Sequence, residues 1–260
     1  MSVKKENFFK SAICFCFLEF KTSSILIIRY PIGLLVGIIV LSLLFTGFLE
    51  MAIWVSDAPG AAHKTDPELL ARFVLWSTLI GGFGSVGRDI EGRTTSGFME
   101  IIWMSAFPPA FIFLVEAIVS MFVIILADLI LAVVLMLIYS EISSFLWLIL
   151  LAMIPTVVAA IGVGLIIGAA TIVFKSIGQT ESLLQMMLLP VFLGFGASGF
   201  SVTYVLPGFA SLGLIVDGGR AGLSTILLAA APATVWLALG VVAVTIAARI
   251  SKSRALVYQY

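Results

Sequence analysis

Residues 110–139 read AFIFLVEAIVSMFVIILADLILAVVLMLIY, and this stretch decides the class of fold. It contains only two charged side chains, Glu116 and Asp128. A helix of about 20 apolar residues crosses roughly 30 Å of hydrocarbon, so this stretch is long enough to span a bilayer. We therefore expect it to form a transmembrane helix.

Comparable apolar stretches recur along all 260 residues, of which 62% are hydrophobic and 11% are charged. A soluble domain has roughly 45–50% apolar residues and about a quarter charged residues. The recurring stretches leave no segment for a separate water-soluble core. The composition therefore predicts an all-α integral membrane protein with a single membrane domain, residues 1–260.

Six stretches are long enough to be counted as membrane crossings. The predicted spans are Pro31–Ile53, Leu69–Gly87, the stretch from Pro109 to Tyr139, Phe145–Phe174, a span that begins at Ser182, and Leu223–Ala248. Connections such as Ser140–Ser144 are short, so successive spans are expected to be antiparallel neighbours.

The positions of the basic residues predict the orientation, because Lys and Arg in short loops stay on the cytoplasmic side. With the N-terminus inside, 11 of the 14 basic residues are cytoplasmic. They are Lys4, Lys5, Lys10, Lys21, Arg29, Arg88, Arg93, Lys175, Arg249, Lys252 and Arg254. We expect a multi-pass protein of a cell membrane, inner or plasma, with both termini in the cytoplasm and the loop containing His63 outside.

Two segments do not have the length of a simple span. The apolar part of residues 4–21 is too short to cross a bilayer and is flanked by charges, so an amphipathic interfacial helix is expected rather than a cleaved signal peptide. The stretch 183–216 exceeds one crossing, is too short for two, and contains several glycines and Pro207. Broken backbone at membrane depth must be buried in protein or line a cavity. We expect re-entrant half-helices at the external face within residues 199–222, before the last span.

Several apparent chemical motifs have a structural explanation. Residues 82–87 and 194–199 match the dinucleotide pattern G-x-G-x-x-G, but neither follows a strand or belongs to a βαβ unit. Close packing of membrane helices explains them better, as it does the G-x-x-x-G spacings at 33–37 and 164–168. The sequence contains one histidine and no phosphate-binding loop of the form G-x-x-x-x-G-K-[ST]. We expect no catalytic, cofactor or metal site in this chain.

Asp128 is predicted near the bilayer midplane, where a carboxylate costs about 2.5–3.5 kcal/mol and needs a partner. Two explanations stay open at this point. The carboxyl is either hydrogen-bonded to a neighbouring helix or subunit, or it belongs to a translocation path or a proton relay.

The polar segment between the second and third spans has the most specific pattern. It runs Arg88-Asp-Ile-Glu-Gly-Arg-Thr-Thr-Ser-Gly-Phe-Met-Glu100 and continues with Ile101-Ile102-Trp103. Together with the layout of interfacial helix, six spans and late broken stretch, this segment resembles the permease subunit of an ABC-2 type exporter, a type V ABC transporter. That family tends to show charges followed by G-T-x-E. Here Gly97-Phe98-Met99-Glu100 has Phe where Thr is usual, and Ala106 stands where a proline is common.

The resemblance implies a permease that forms the substrate path as a dimer, with a second copy or a related permease. It also implies separate nucleotide-binding ATPase subunits that hold ATP and magnesium. Residues 93–105 would be the coupling segment that docks on the ATPase. The residues implied for docking are Arg93, Gly97, Met99, Glu100, Ile101 and Trp103, with Ile102 as a further apolar anchor. An amphipathic substrate is implied, such as a drug, a lipid or a lipid-linked glycan.

Other interpretations remain at the level of the sequence. The coupling segment can instead lie against lipid headgroups. The protein can be a proton- or sodium-coupled secondary carrier that uses Asp128, although such carriers often have matching breaks in two halves, and here the break occurs once. It can also be a membrane scaffold without transport.

Overall fold

The computed structural model of the chain describes residues 2–29, 31–55, 67–139, 145–174, 178–194, 206–216 and 223–257. Four predicted features lie outside these residues. They are the external loop with His63, the connection 140–144, the first part of the re-entrant region at 199–205, and the last part of that region at 217–222.

The described residues form α-helices joined by turns, without a strand. The helices are α1 (Ser2–Arg29), α2 (Pro31–Val55), α3 (Pro67–Thr95), α4 (Met99–Met104), α5 (Pro109–Tyr139), α6 (Phe145–Phe174), α7 (Gly178–Gly194), α8 (Ala210–Val216) and α9 (Leu223–Val257). The predicted all-α class is therefore confirmed.

Five of the described helices are long and apolar enough to cross a membrane: α2, α3, α5, α6 and α9. They coincide with five of the six predicted spans. The predicted fifth span begins inside α7, which has 17 residues and is not among these five. The described part of α7 is about 25 Å long at 1.5 Å per residue, and the residues that follow Gly194 lie outside the described part of the chain.

The core is built around α3, which packs against α5, α6 and α7, while α6 also packs along α9. Phe73, Leu75, Leu79 and Phe83 of α3 are fully buried. Among the five candidate spans, α3 has the lowest hydropathy and the largest buried share. Its faces contact protein, so it does not need the uniformly apolar surface that lipid requires from α2 and α5.

Small residues allow these helices to approach closely, as the glycine patterns predict. Gly82, Gly84 and Gly87 of α3 face side chains of α5, α6 and α7, and Gly164 and Gly168 of α6 face α3. The spacing at 33–37 differs, because a Cβ atom at Gly33 or Gly37 would meet nothing within 4 Å. Close packing therefore explains the patterns in α3 and α6, whereas the glycines of α2 border open space.

The crossing of α6 and α9, where backbone meets backbone, predicts a sensitive position. A Cβ atom at Gly162 would lie 2.5 Å from Leu237 N, and Gly240 faces Gly162 in return. Gly162→Ala should force the helices apart and lower the free energy of unfolding by about 1–2 kcal/mol. Thermal unfolding in detergent measures this change. Gly37→Ala, where the space is open, is the matched control and should unfold at the wild-type temperature or slightly above it.

The late broken stretch ends in the short, buried helix α8. Gly208 precedes it with φ 80°, in the left-handed region that glycine tolerates best. The rings of Phe192 and Phe209 lie 4.3 Å apart and connect α7 to this turn. Within α8, Ser211 accepts a 2.9 Å hydrogen bond from Thr156 of α6. Residues 207–215 are thus largely surrounded by protein, whereas Leu183, Met186 and Met187 of α7 are exposed.

The N-terminal helix α1 extends beyond the predicted residues 4–21 and lies along α5. Ring contacts join Phe15 to Phe107 and Phe20 to Phe122, at 5.9 and 5.2 Å. Other apolar side chains of α1, including Phe17 and Leu18, are exposed. The helix therefore contacts the bundle along one side and leaves an apolar surface on another.

Candidate functional site

The segment between α3 and α5 folds into a turn and one short helix. The hydroxyls of Thr95 and Ser96 donate hydrogen bonds to carbonyls of the last turns of α3, at 2.9 Å to Glu91 and 2.6 Å to Gly92. Gly97 follows with φ 79°, a left-handed conformation that reverses the chain and that other residues adopt only with strain. The six residues of α4 come next, and α5 begins at Pro109, directly after Pro108.

Helix α4 has two distinct faces. Met99 and Ile102 point inward and are each only 5% exposed. On the other side, Glu100 is exposed, and so are the apolar side chains of Ile101 (57%) and Met104 (79%). Phe98, just before the helix, is exposed as well. We call Phe98, Glu100, Ile101 and Met104 the outer face of α4.

The structure separates the predicted docking residues into three groups. Glu100 and Ile101 lie on the outer face, where a partner can reach them. Met99 is buried, and Trp103 is partly buried, so these two hold α4 against the bundle instead of presenting a docking surface. Gly97 forms the turn, and Arg93 points toward α5. Met99 thus lies between α4 and the bundle, and the docking role of these residues stays a prediction.

Ion pairs and hydrogen bonds tie the end of α3 to its neighbours. Arg88 Nη1 donates to Glu181 Oε1 of α7 at 2.9 Å, and Gln185 Nε2 donates to the same oxygen at 3.0 Å. A Cβ atom at Gly84 would lie 2.7 Å from that oxygen, so the carboxylate needs a glycine there.

A second set of polar contacts joins α3 to α5. Arg93 Nη2 lies 2.6 Å from Glu116 Oε1, and the Ser120 hydroxyl donates to Asp89 Oδ2 at 3.0 Å. Both Glu116 oxygens are buried, and neither has a hydrogen-bond partner of good geometry within the described part of the chain. The carboxylate therefore has unused acceptor capacity.

These residues line a groove of about 1030 Å³ between α1, α2, α3 and α5. Its polar lining includes Glu19, Arg88, Asp89, Arg93 and Glu116. Its apolar lining includes Leu34, Ile38, Leu41, Val123 and Ile124. The sequence did not indicate this groove. The one available signal was the set of charges at the adjoining ends of the two helices, Asp89 and Arg93 on α3 and Glu116 on α5, but how these charges pair depends on how the helices cross.

Asp128, the translocation-path candidate, lies elsewhere. It is 2% exposed and is held between α3 and α5. The Ser77 hydroxyl lies 2.7 Å from Oδ1 and the Thr78 hydroxyl 2.7 Å from Oδ2. Its neighbour Ala127 lines the groove, but Asp128 does not. The helix-to-helix hydrogen bonding that the sequence left open as one explanation is present.

Comparison of the chain with models of protein families, with curated proteins and with solved structures found no match.

Proposed function

We propose that the chain is the membrane-spanning permease subunit of an ATP-driven ABC exporter of the ABC-2 type. The observation that carries this proposal is the outer face of α4, in which three apolar side chains and one carboxylate are exposed at the predicted cytoplasmic side. A surface of this kind is typical of a protein interface with apolar anchors. The sequence lacks a phosphate-binding loop, so the energy source would be a separate ATPase subunit with ATP and magnesium.

In this mechanism, α4 transmits the motion of the ATPase to the spans. It is anchored through Met99 and Ile102 and lies a few residues from the ends of α3 and α5. A push on α4 would therefore act on both spans as rigid bodies. The Arg93–Glu116 pair joins α3 to α5, and the Arg88–Glu181 pair joins α3 to α7. Either these helices would move together, or the ion pairs would break in the opened state.

The finer membrane topology belongs to the same proposal. We take α7 as the fifth span, with little tilt, and α9 as the sixth span. Between them, the buried turn at Gly208 leads into α8, which we take as a re-entrant half-helix. The burial of α8 against α6 and α9 supports this assignment, because irregular backbone at membrane depth must be covered by protein. Both termini would then be cytoplasmic.

The substrate path would form between two permeases. Helix α2 presents a continuous apolar surface that includes Ile32, Leu35, Ile39 and Leu43. That surface suits lipid or a second permease equally well. A path shared by two copies would accept an amphipathic substrate, such as a drug, a lipid or a lipid-linked glycan.

The secondary carrier that uses Asp128 is the alternative. The position of Asp128 outside the groove and its two hydroxyl partners favour a role in helix packing. We therefore rank the carrier second. The carrier alternative predicts that the purified chain alone moves solute when a proton or sodium gradient is present.

Gentle purification from native membranes tests the proposal directly. We expect a phosphate-loop ATPase to accompany the chain through two purification steps, with magnesium-dependent ATP hydrolysis in the eluate. A chain that purifies alone and moves solute down a proton gradient in liposomes would reject the exporter in favour of the carrier. A chain with neither property would support the scaffold.

A further inference from the structure

The groove between α1, α2, α3 and α5 has the size and the lining of a ligand site. Its volume of about 1030 Å³ lies at the upper end of the roughly 300–1000 Å³ typical of small-molecule pockets. On α5 it extends from Glu116 to Ala127, a rise of about 16 Å. The groove therefore reaches from the predicted cytoplasmic surface toward the middle of the membrane.

The chemistry of the lining changes along this length. The charged side chains and several hydroxyls, among them Ser96 and Ser120, lie toward the cytoplasmic end. Leu41, Val123 and Ile124 lie deeper. A ligand that fills the groove would therefore have one polar end and one apolar end.

The charges favour a cation at the polar end. Three carboxylates line the groove, Glu19, Asp89 and Glu116, against two guanidiniums. Of these, Arg88 bonds to Glu181, which is not part of the lining, so its charge is largely matched outside the groove. An anion would meet a net excess of carboxylates in surroundings of low dielectric constant, where repulsion is strong.

Glu116 adds a second observation that points to a ligand with hydrogen-bond donors. It is only 8% exposed and lines the groove. Its Oε1 lies 2.6 Å from Arg93 Nη2 in an ion pair, yet neither oxygen accepts a hydrogen bond of good geometry among the described residues, and Oε2 has no partner there. Buried carboxylates normally bind donors, because the loss of water otherwise costs free energy. A protonated amine supplies two or three N–H donors and the opposite charge.

From these observations we propose that the groove binds amphipathic amines, in which a protonated amino group is attached to an apolar body. The ammonium would lie among Asp89, Glu116 and Glu19, and the body would lie against Leu41, Val123 and Ile124. This inference rests on the proposed function, since it names the chemical class of the substrate. The amine can come from a soluble compound or from the amino headgroup of a lipid.

The test compares two probes of the same shape and opposite charge. The full chain in phosphatidylcholine nanodiscs is titrated with dansylcadaverine, an amine, and with dansyl-6-aminohexanoate, an anion, and the dansyl emission is followed. We expect the amine to bind at least tenfold more tightly. Equal binding of the two probes would overturn the proposal, and this comparison needs no variant.

Two comparisons, each with its own control variant, locate the site. Glu116→Gln and Asp89→Asn should each weaken amine binding about tenfold, whereas Glu91→Gln, on the same helix but outside the lining, should leave it within about twofold. Gly37→Leu places a side chain in the groove and should block binding. Gly33→Leu, one helical turn away and not in the lining, should not. Equal effects within either comparison would overturn the proposal.

Phosphatidylethanolamine in the nanodiscs distinguishes the two sources of the amine. Competition with the probe identifies a lipid headgroup, and unchanged probe affinity identifies a soluble amine. Both results keep the proposed chemistry. The assay contains no ATPase, so its failure leaves the docking proposal standing, while amine binding by a chain that never associates with an ATPase would reject the exporter and retain the groove.

Discussion

Replacing Glu100 by Lys is expected to abolish productive contact with the ATPase partner. Glu100 is exposed at the centre of the outer face of α4, between the apolar side chains of Phe98 and Ile101. A charge reversal there would place like charges against a basic site on the partner, which costs several kcal/mol across an interface. We expect co-purification of the ATPase to fall at least tenfold, with a parallel loss of substrate-stimulated ATP hydrolysis.

The matched control is Glu50→Lys, because Glu50 is exposed toward the C-terminal end of α2, which is predicted to face the external side. It changes the net charge by the same amount and should leave both measurements unchanged. A second variant, Ile101→Asp, tests the apolar part of the same face and should also detach the ATPase. Wild-type association and stimulation in the Glu100→Lys chain would remove the outer face of α4 from the docking model.

Several of the helices could be predicted from the sequence alone. The spans α2, α3, α5, α6 and α9 were predictable because the length of an apolar stretch is a local property that the bilayer thickness fixes. The packing role of residues 82–87 was also predictable. A dinucleotide site would need a strand before this motif, whereas small residues inside an apolar span are typical of close helix packing. The fifth span, predicted to begin at Ser182, starts inside α7, but the residues after Gly194 lie outside the described part of the chain, so a sixth crossing stays a prediction.

The functional surfaces were less predictable, because they depend on tertiary contacts. Nothing in the order Met99-Glu100-Ile101 tells which side of a six-residue helix faces the bundle. The pairs Arg88–Glu181 and Ser77–Asp128 join residues 93 and 51 positions apart, so their distances follow from helix crossings and not from spacing. The groove has the same origin, since four helices contribute to it.

Asp128 gives the second large effect, and its hydrogen bonds allow a graded prediction. Thr78 Oγ1 lies 2.9 Å from Val74 O and 2.7 Å from Asp128 Oδ2, yet a hydroxyl has only one proton to donate. A neutral Asp128 carboxyl satisfies all of these groups. Its O–H donates to Thr78 Oγ1, and the Thr78 hydroxyl donates to Val74 O. Ser77 donates to the other oxygen. Asparagine reproduces this arrangement, with its NH₂ group toward Thr78.

We therefore expect Asp128→Asn to unfold within about 1 kcal/mol of the wild type, and Asp128→Ala to lose roughly 2–4 kcal/mol through the cavity and the lost hydrogen bonds. Unfolding of both variants in the same detergent measures the difference. Thr156→Ala, which removes a comparable buried hydroxyl contact between α6 and α8, should lose less free energy of unfolding, because it deletes fewer atoms and one interhelical bond.

Proton uptake by liposomes that contain the Asp128→Asn chain then separates the two roles of Asp128, helix packing and proton coupling. A variant that folds like the wild type but loses gradient-driven solute movement would make Asp128 a coupling residue and the protein a carrier, whereas unchanged behaviour leaves Asp128 as the polar link between α3 and α5.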